Sequence, residues 1–256
     1  MRLSVALVAL LTIAVAGIGA PRRVSTQPRD AAVPFVSGET LTYDVSWSNL
    51  LTAGTAVTHV VQQRPSLGAS AWEITAHGNP IPLIQRLYPV YYKMDTLLES
   101  ASLLSQWTGL YMDENGRKRQ TSMRFDRPAR KVLYEMTTPT AARAELAVPG
   151  GVQDGLALLY ALRTRVFRPG EHFTIPVADD GSLYAVEFAT SGPERVTTRL
   201  GTADAWNLSV GIKNEATQQI GNNIGIWIST DPRRLPVKIQ AELPVGNFVL
   251  ALRDVK

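Results

Sequence analysis

The feature that most constrains the fold of this chain is a two-residue alternation of apolar and polar side chains. The segment 41–47 shows it near the start of the chain and the segment 206–212 near the end. Successive side chains of a β-strand point to opposite faces, so this alternation predicts half-buried strands with one apolar face. Nowhere do strand-like and helix-like segments alternate as in βαβ units, so a parallel sheet is not expected.

Turn signals between the strand-like segments indicate how the strands connect. The clearest is Asn115-Gly116, between strands predicted at 103–112 and 118–125, because this dipeptide suits a tight hairpin turn with positive φ. Consecutive strands joined by short turns pair antiparallel. We therefore predict a mainly β protein, with a large curved antiparallel sheet or partly closed β-barrel of about a dozen strands.

One segment departs from the alternation. Residues 154–165 are rich in leucine and alanine, which favour helix, and Asp154 stands where an N-cap is expected. Pro169 and Gly170 then end the segment. Because leucines and a tyrosine cover most of its circumference, the helix over 154–165 is predicted to be buried on more than one side.

The N-terminus has the pattern of a secretory signal peptide. A basic start is followed by an apolar run to Ile18, by small residues at Gly19 and Ala20, and then by arginines. We predict a cleaved signal peptide at 1–20, a flexible arm at 21–38 and a single β-rich domain at 39–256. No later apolar run reaches the roughly 18 residues of a membrane span, so we expect none after cleavage, and a periplasmic or secreted location.

Composition narrows the classes of function. The chain contains no cysteine, so we expect neither a disulfide nor a lipid attached through cysteine. The net charge of +4 is spread thinly along the chain, which argues against nucleic-acid binding because that function needs a basic stripe. No sequence motif requires a cofactor.

Several segments together resemble an exported bacterial family named domain of unknown function 3108. The segments are 39–47, 53–56, 125–126, 153–154, 158–163, 227–231, 234–237 and Gly246. The resemblance spans residues 39–252 and implies an exported β-rich protein. It implies no activity and no catalytic residues.

The sequence carries no recognisable catalytic or metal-binding motif. The three histidines do not share a helical face, and no Gly-x-Ser-x-Gly motif occurs. Paired carboxylates could serve glycoside cleavage, and the candidates are Asp44, Glu73, Asp95, Glu99 and Glu187. Catalysis is left open, with a non-enzymatic role favoured, and we predict neither catalytic residues nor metal ligands.

Tryptophans and arginines are the candidate ligand-binding residues. Trp47, Trp72 and Trp206 fall on the apolar faces of their strands, and Trp227 faces away from its isoleucine neighbours. Such aromatic rings could enclose an acyl chain or stack on a sugar, or could simply fill the core. Arg163 and Arg234 could attract an anionic group at the rim of a cavity, or could be ordinary surface residues.

Three functions remain open at this point. The first is a non-enzymatic binding or carrier module for an apolar or amphipathic molecule of the cell envelope. The second is a glycan-binding or glycan-active exported protein, and the third is a structural partner in an envelope protein assembly. A cavity inside the sheet favours the first function over the third, and an open aromatic groove with two carboxylates favours the second.

Overall fold

The computed structural model describes residues 32–256 apart from 49–50, 88, 219 and 244–245, with the backbone alone at 51, 220–223 and 243. The predicted signal peptide lies outside the described residues, as does the predicted arm up to residue 31. Within the described part of the chain no helix is long and apolar enough to cross a membrane.

The described chain forms fourteen strands and two short helices. In chain order these are β1 (Thr40–Trp47), β2 (Leu51–Ser66), β3 (Ala69–Pro80), α1 (Pro82–Leu87), β4 (Val90–Glu99), β5 (Ser105–Glu114), β6 (Arg117–Asp126), β7 (Lys131–Thr138), β8 (Ala142–Ala147), α2 (Gly155–Leu162), β9 (His172–Asp179), β10 (Ser182–Thr198), β11 (Gly201–Asn214), β12 (Ile220–Ser229), β13 (Pro236–Leu243) and β14 (Gly246–Val255).

All fourteen strands belong to one antiparallel sheet. Each strand pairs with its neighbour in sequence, except that β1 pairs with β14 and that β8 and β9 form the two edges. The predicted mainly β fold with a curved antiparallel sheet is confirmed, and the sheet is not closed. Strands that follow one another along the chain need only short turns, which is why the turn signals anticipated the pairing.

Two strands differ from the sequence prediction. The sequence predicts separate strands at 183–189 and 195–200, but these segments form the single bent strand β10, whose pairing with β11 shifts between Thr190 and Pro193. A β-bulge bends a strand without ending its pairing, so the breaker residues there mark a bend and not a turn. The strand β8 has an exposed, mostly small and charged sequence that gave no alternation signal.

The hairpin between β5 and β6 has the predicted turn. Asn115 and Gly116 have φ angles of 52° and 80°. Both central residues of a type I′ turn need positive φ, and this turn matches the right-handed twist of the flanking strands. The sequence therefore determines the pairing register of β5 and β6 locally.

The two edges of the sheet curl toward each other. Gln153, in the segment that follows β8, forms one parallel bridge to Val177 of the opposite edge strand β9. The Arg119 guanidinium on β6 also lies 2.5 Å from the Asp180 carboxylate in the β9–β10 turn. These contacts hold the edges together without a continuous strand ladder between them.

The helix α2 lies within the curve of the sheet and packs against β3, β4 and β9. The sheet face that it contacts is called the inner face below. The predicted N-cap is confirmed, since the buried Asp154 carboxylate accepts hydrogen bonds from the backbone N–H groups of Leu156 and Ala157 at 3.0 and 2.9 Å. The Thr96 hydroxyl donates a further bond at 2.7 Å, and burial raises the pKa of Asp154.

Opposite sides of α2 pack against the two halves of the sheet. Leu158 and Leu162 join a core cluster with β9–β12, whereas Leu156 and Tyr160 join a cluster with β2–β4. The predicted burial on more than one side is confirmed, although the helix covers 155–162 and not the whole of 154–165. A helix this short is stable only because the sheet covers it on both sides.

Arg163, just after α2, is the largest fully buried side chain. Its guanidinium forms two bonds to the Glu39 carboxylate, with Nη1–Oε1 at 2.5 Å and Nη2–Oε2 at 2.9 Å. It also donates to the carbonyl oxygens of Pro34, Arg233 and Arg234 at 3.0–3.2 Å. These contacts form the Arg163 cluster, which joins the start of the described chain, the end of α2 and the β12–β13 loop.

Aromatic rings complete the Arg163 cluster. The guanidinium carbon lies 5.3 Å from the Phe35 ring centre and 5.2 Å from that of Tyr160. Phe35, within the predicted flexible arm, is buried edge-on to Trp72 and Tyr160. Burial raises the pKa of Tyr160 to about 12. Each nitrogen of the Arg163 guanidinium therefore has an acceptor, as a buried charge requires.

We predict that Arg163→Ala lowers the free energy of unfolding by about 3–5 kcal/mol, because it leaves the Glu39 carboxylate buried without its partner. Urea denaturation measures this loss. The control is Arg143→Ala, which breaks the Glu135 ion pair of a side chain that is 83% exposed and should cost less than about 1 kcal/mol. Equal losses in the two variants would contradict the structural role given to Arg163.

Candidate functional site

The inner face is packed at one end of the strands and open at the other. Beside α2 its side chains are fully buried, as in Ile74, Leu98, Leu208 and Ile228, each 0% exposed. Toward the end that carries α1, called the α1 end, the apolar inner side chains are only half-buried. These half-buried side chains are Val45, Met94, Leu110, Met112, Ile175, Tyr184, Ile212, Ile224, Ile239, Phe248 and Leu250.

The pairing register of the strands shows that these half-buried side chains lie on the inner face. Val45 pairs with Leu250, which pairs with Ile239, which in turn pairs with the buried Ile226 of the α2 core cluster. Directly opposed residues of an antiparallel pair point to the same face of the sheet. The apolar stripe is thus continuous across β1, β14, β13 and β12, although α2 covers only part of it.

A pocket of about 240 Å³ lies at the α1 end and is called the inner pocket. Its lining comes from β1–β4, α1 and β14: Val45, Ala53, Gly54, Thr55, Ala56, Gly78, Asn79, Pro80, Ile84, Val90, Tyr92 and Phe248. No charged side chain lines it. An apolar pocket with few polar groups suits a ligand that is itself largely apolar.

Glycines give the inner pocket its space. Gly78 pairs with Ala56 on β2, and a Cβ atom on Gly78 would meet nothing within 4 Å. Gly54 differs, because a Cβ there would lie 2.4 Å from the Asn79 carbonyl oxygen of β3. Gly54 therefore permits the close approach of β2 and β3, whereas Gly78 leaves volume unfilled.

Exposed apolar side chains surround the inner pocket. Leu83 and Leu87 of α1 are 60% and 75% exposed, while Ile84 of the same helix lines the pocket. On the opposite rim Trp47 is 37% exposed and stacks on Phe248, with ring centres 6.3 Å apart. The rim thus presents apolar surface on both sides of the opening.

The sequence-predicted tryptophans lie in different parts of the sheet. Trp47 is at the pocket rim, and Trp206 packs beside the α2 core cluster with its ring centre 6.2 Å from that of Phe167. Trp72 contacts Phe35 edge-on within the buried cluster around Tyr160. None of these three rings contacts another of the set in the described structure.

Trp227 lies on the face opposite α2, where it is buried in a core cluster with Val196 and Ala205. It pairs with Lys238 on β13 and with Asn207 on β11, while its neighbours Ile226 and Ile228 point to the inner face. Its indole N–H donates to the Glu194 carboxylate, and the Lys238 ammonium lies 4.3 Å from the ring centre. The indole therefore has polar and cationic partners within the protein.

The two predicted arginines make structural contacts. Arg163 is enclosed in the Arg163 cluster. Arg234 donates to the carbonyl oxygens of Arg163 and Arg165 and lies 5.1 Å from the Phe167 ring centre. Burial lowers the pKa of Arg234. Both side chains are at the end of the strands remote from the inner pocket.

Sequence reasoning did not single out most residues of the inner pocket. Phe248, Val45 and Tyr92 each carry a strand signal, but only the pairing register and the curvature show that they converge with Ile84. The signal that could have found the pocket is Gly78, a glycine inside a strand, because such a position often marks a close approach or an unfilled space.

The predicted carboxylates are mostly engaged in ion pairs. Glu73 pairs with Arg64 at 2.9 Å and Asp95 with Lys93 at 3.1 Å, while Asp44 lies 2.9 Å from Arg199. Among the described residues no group of three or more His, Cys, Asp or Glu side chains is placed to hold a metal ion. Three of the five candidate carboxylates are thus held by neighbouring basic side chains.

Comparison with known families identifies the chain. Residues 42–253 match the family model described as Protein of unknown function (DUF3108). The chain belongs to the DUF3108 family. Membership carries no assigned activity, and no curated protein matches the chain.

One solved structure shares the fold at low sequence identity. The chain resembles a β-barrel-like protein of domain of unknown function DUF1849 from Brucella abortus, with a TM-score of 0.55, 8% identity and coverage of 86% of this chain and 98% of that one. Two weaker likenesses are to a candidate lipoprotein from Parabacteroides distasonis (TM-score 0.37, 10% identity, 89% and 100% covered) and a candidate exported protein with a YmcC-like fold from Bacteroides fragilis (TM-score 0.36, 13% identity, 88% and 100% covered).

We predict that Gly54→Ala destabilises this DUF3108 protein by about 1–3 kcal/mol, because the new methyl group collides with the backbone of β3. Gly78→Ala is the matched control, because Gly78 lies in the same pocket wall on the adjacent strand β3 and a methyl group there meets nothing. It should change the free energy of unfolding by less than about 0.5 kcal/mol. Thermal or urea unfolding measures both. If Gly54→Ala left the free energy of unfolding unchanged, β2 and β3 would be less closely packed at Gly54 than the structure shows.

Proposed function

We propose that the protein is a non-enzymatic carrier or binding module that holds an apolar or amphipathic envelope molecule on the inner face of its sheet. The observation that carries this proposal is the half-buried apolar stripe at the α1 end, together with the inner pocket. A stripe that served only as core would be covered along its whole length, as it is beside α2. Exposed contiguous apolar surface in a soluble domain often marks a binding site.

The volume of the inner pocket fits a slender ligand. At about 30 Å³ for each water molecule, 240 Å³ corresponds to roughly eight waters, which is more than a packing defect. The pocket is small for a fused ring system, since most drug-sized ligands occupy larger sites. A hydrocarbon chain would enter the pocket and continue along the half-buried stripe toward α2.

The rim of the pocket suits a ligand with one polar end. The Tyr92 hydroxyl donates to the Glu114 carboxylate, so polar groups stand next to the apolar opening. Tyr92 itself lines the pocket with its ring. An amphipathic molecule could keep its head group in water at this rim while its apolar part contacts Val45, Ile84 and Phe248.

Of the sequence-predicted ligand residues, the proposed site retains Trp47 at its rim. Trp206 is also on the inner face, but it lies beside Phe167 toward the end of the strands that carries Arg234. Trp72 and Arg163 are enclosed near α2, Arg234 lies at the remote end of the strands, and Trp227 is buried on the face opposite α2. We assign these four side chains to the fold, because their contacts are already made within the protein.

The proposal extends to location and domain organisation. We propose that residues 1–20 direct export and are removed, that 21–38 form an arm whose last part joins the Arg163 cluster, and that 39–256 form one domain. Export is supported by the signal pattern of the sequence. A molecule of the cell envelope would then be available as the ligand, and a periplasmic or secreted location follows.

We predict that the fluorescent linear fatty acid cis-parinaric acid binds in the micromolar range, and that Gly78→Leu weakens the binding roughly tenfold, about 1.4 kcal/mol. The leucine would fill the inner pocket without a backbone clash. Fluorescence titration measures the affinity, and the melting temperature should stay near that of the parent protein.

The matched control is Thr75→Leu, which adds the same side chain to the outer face of the same strand, since Thr75 pairs with His59 and Asp95 away from Ile74. It should leave probe binding unchanged. Absence of binding to the parent protein, or equal weakening by the two variants, would reject the carrier function. The envelope-assembly function would then stand first.

A further inference from the structure

One edge of the sheet is the strand β8, which pairs with β7 on one side only. Within the described part of the chain no other strand covers its second side. Ala142, Ala144 and Ala147 of β8 are all exposed, and an alanine has little beyond its backbone to expose. At the opposite edge the backbone of Gln153 bonds to that of β9. β8 is therefore the more open of the two edges, and open edges are where further strands can pair.

The ladder between β7 and β8 shows which backbone groups of β8 face the free edge. The Val148 N–H donates to the Arg130 carbonyl oxygen at 3.0 Å, one position beyond the pair of Ala147 with Lys131. Hydrogen-bonded and non-hydrogen-bonded pairs alternate along an antiparallel ladder, so every second residue of β8 bonds to β7. The residues between them direct their N–H and C=O groups to the free edge, and these are Arg143, Glu145 and Ala147.

The same two charged residues carry side chains of opposite sign on one face of β8. Arg143 lies 2.7 Å from Glu135 of β7, and Glu145 lies 2.5 Å from Lys131. The Arg143 and Glu145 side chains are nevertheless 83% and 51% exposed. Each can therefore take a second partner of opposite charge from the side that β7 does not occupy.

We propose that β8 pairs with β8 of a second copy of this chain, antiparallel and about a two-fold axis at Ala144. In this register Arg143 of each copy lies directly opposite the partner's Glu145, and the free N–H and C=O groups of both residues bond across the interface. Opposite charges directly across an antiparallel pair stabilise it. From one β7 to the other the charged residues are then Glu135, Arg143, the partner's Glu145 and the partner's Lys131, with alternating sign throughout.

Charge selects this register over its neighbours. Moving the two-fold axis by one residue, to Arg143 or to Glu145, keeps the backbone bonds but places two like charges opposite each other, which destabilises the pair. A half-step would pair free backbone groups with groups already bonded to β7. Pro139 and Pro149 lie equally far on either side of Ala144, and neither has an N–H, so the pairing would end symmetrically.

The edge favours a closed dimer over an open chain of copies. Charged residues often protect an edge strand from pairing, but such protection fails when each charge meets its opposite, as Arg143 and Glu145 do here. A two-fold contact uses the same strand of both copies and leaves no second β8 free. The other edge strand, β9, differs from β8 in sequence and already bonds to Gln153. The dimer is independent of the carrier function, because β8 does not line the inner pocket.

Cysteine cross-linking tests the register directly, because the chain contains no cysteine of its own. The two Ala144 residues would form a non-hydrogen-bonded pair with Cα atoms about 4.5 Å apart, which is within the reach of a disulfide. Ala144→Cys should therefore yield a covalent dimer on oxidation with copper-phenanthroline, seen by non-reducing electrophoresis.

Ala142→Cys is the matched control, since Ala142 is an exposed alanine on the same face of the same strand. Its two copies would lie about 14 Å apart in the proposed register, too far for a disulfide. An Ala144→Cys protein that stays monomeric, or equal cross-linking of the two variants, would overturn the proposal.

Sedimentation velocity tests the role of charge without a cross-link. The purified parent protein should form a dimer whose fraction rises with concentration, and Arg143→Glu should raise the dissociation constant at least about tenfold by facing the partner's Glu145. Adding Glu145→Arg to that variant restores opposite charges across the axis and should recover the dimer. Glu135→Gln is the control, because it breaks the same ion pair within the chain and should leave the dimer in place.

The melting temperatures of these variants should stay close to that of the parent protein, because exposed ion pairs contribute little to stability. Binding of cis-parinaric acid should also persist in Arg143→Glu, so failure of the dimer is distinguishable from failure of the carrier function. A parent protein that is monomeric at every concentration, or a dimer that charge reversal leaves intact, would overturn the proposal. If Ala144→Cys cross-linked to a different envelope protein and not to itself, the edge would belong to that partner and the proposal would be wrong.

Discussion

The buried ion pair between Arg163 and Glu39 is the interaction on which the rest of the architecture depends. It joins segments 124 residues apart in sequence and adds the β12–β13 loop through backbone carbonyls. A guanidinium taken out of water destabilises a protein unless every donor finds an acceptor, and here the two carboxylate oxygens and three carbonyls supply them. Because Arg163 directly follows α2, the pair also sets how deep that helix lies within the curved sheet. The inner face is packed beside α2 and open at the α1 end.

Much of the fold was predictable because the determining interactions are local. The two-residue alternation predicted the strands, Asn115-Gly116 predicted a hairpin, and Asp154 predicted the start of α2. The rest depends on contacts between distant residues. Arg163 was visible in the sequence as a basic residue at the end of the predicted helix, but its burial depends on Glu39, which no local pattern links to it. The merging of two expected strands into β10 depends on a bulge that breaker residues signal only ambiguously.

The candidate sites were less predictable, because curvature decides which apolar face becomes the inner one. Trp206 and Trp227 both lie on strands with strong signals, yet one packs beside the core around α2 and the other is buried in a separate cluster on the opposite face. Gln106 is harder still to predict, since the residues next to it in sequence do not indicate that the pairing of β4 with β5 shifts at this position.

The most direct test of the central claim, that the open half of the inner face binds an apolar ligand, is methyl NMR of isoleucine-labelled protein titrated with decanoate. The account predicts that the Cδ1 signals of Ile84, Ile212 and Ile239 shift in a saturable way, because these side chains line the inner pocket or the half-buried stripe. The signals of Ile74 and Ile228, which are fully buried beside α2, should stay in place. No shift in the first three residues, or an equal shift in all five, would contradict the account.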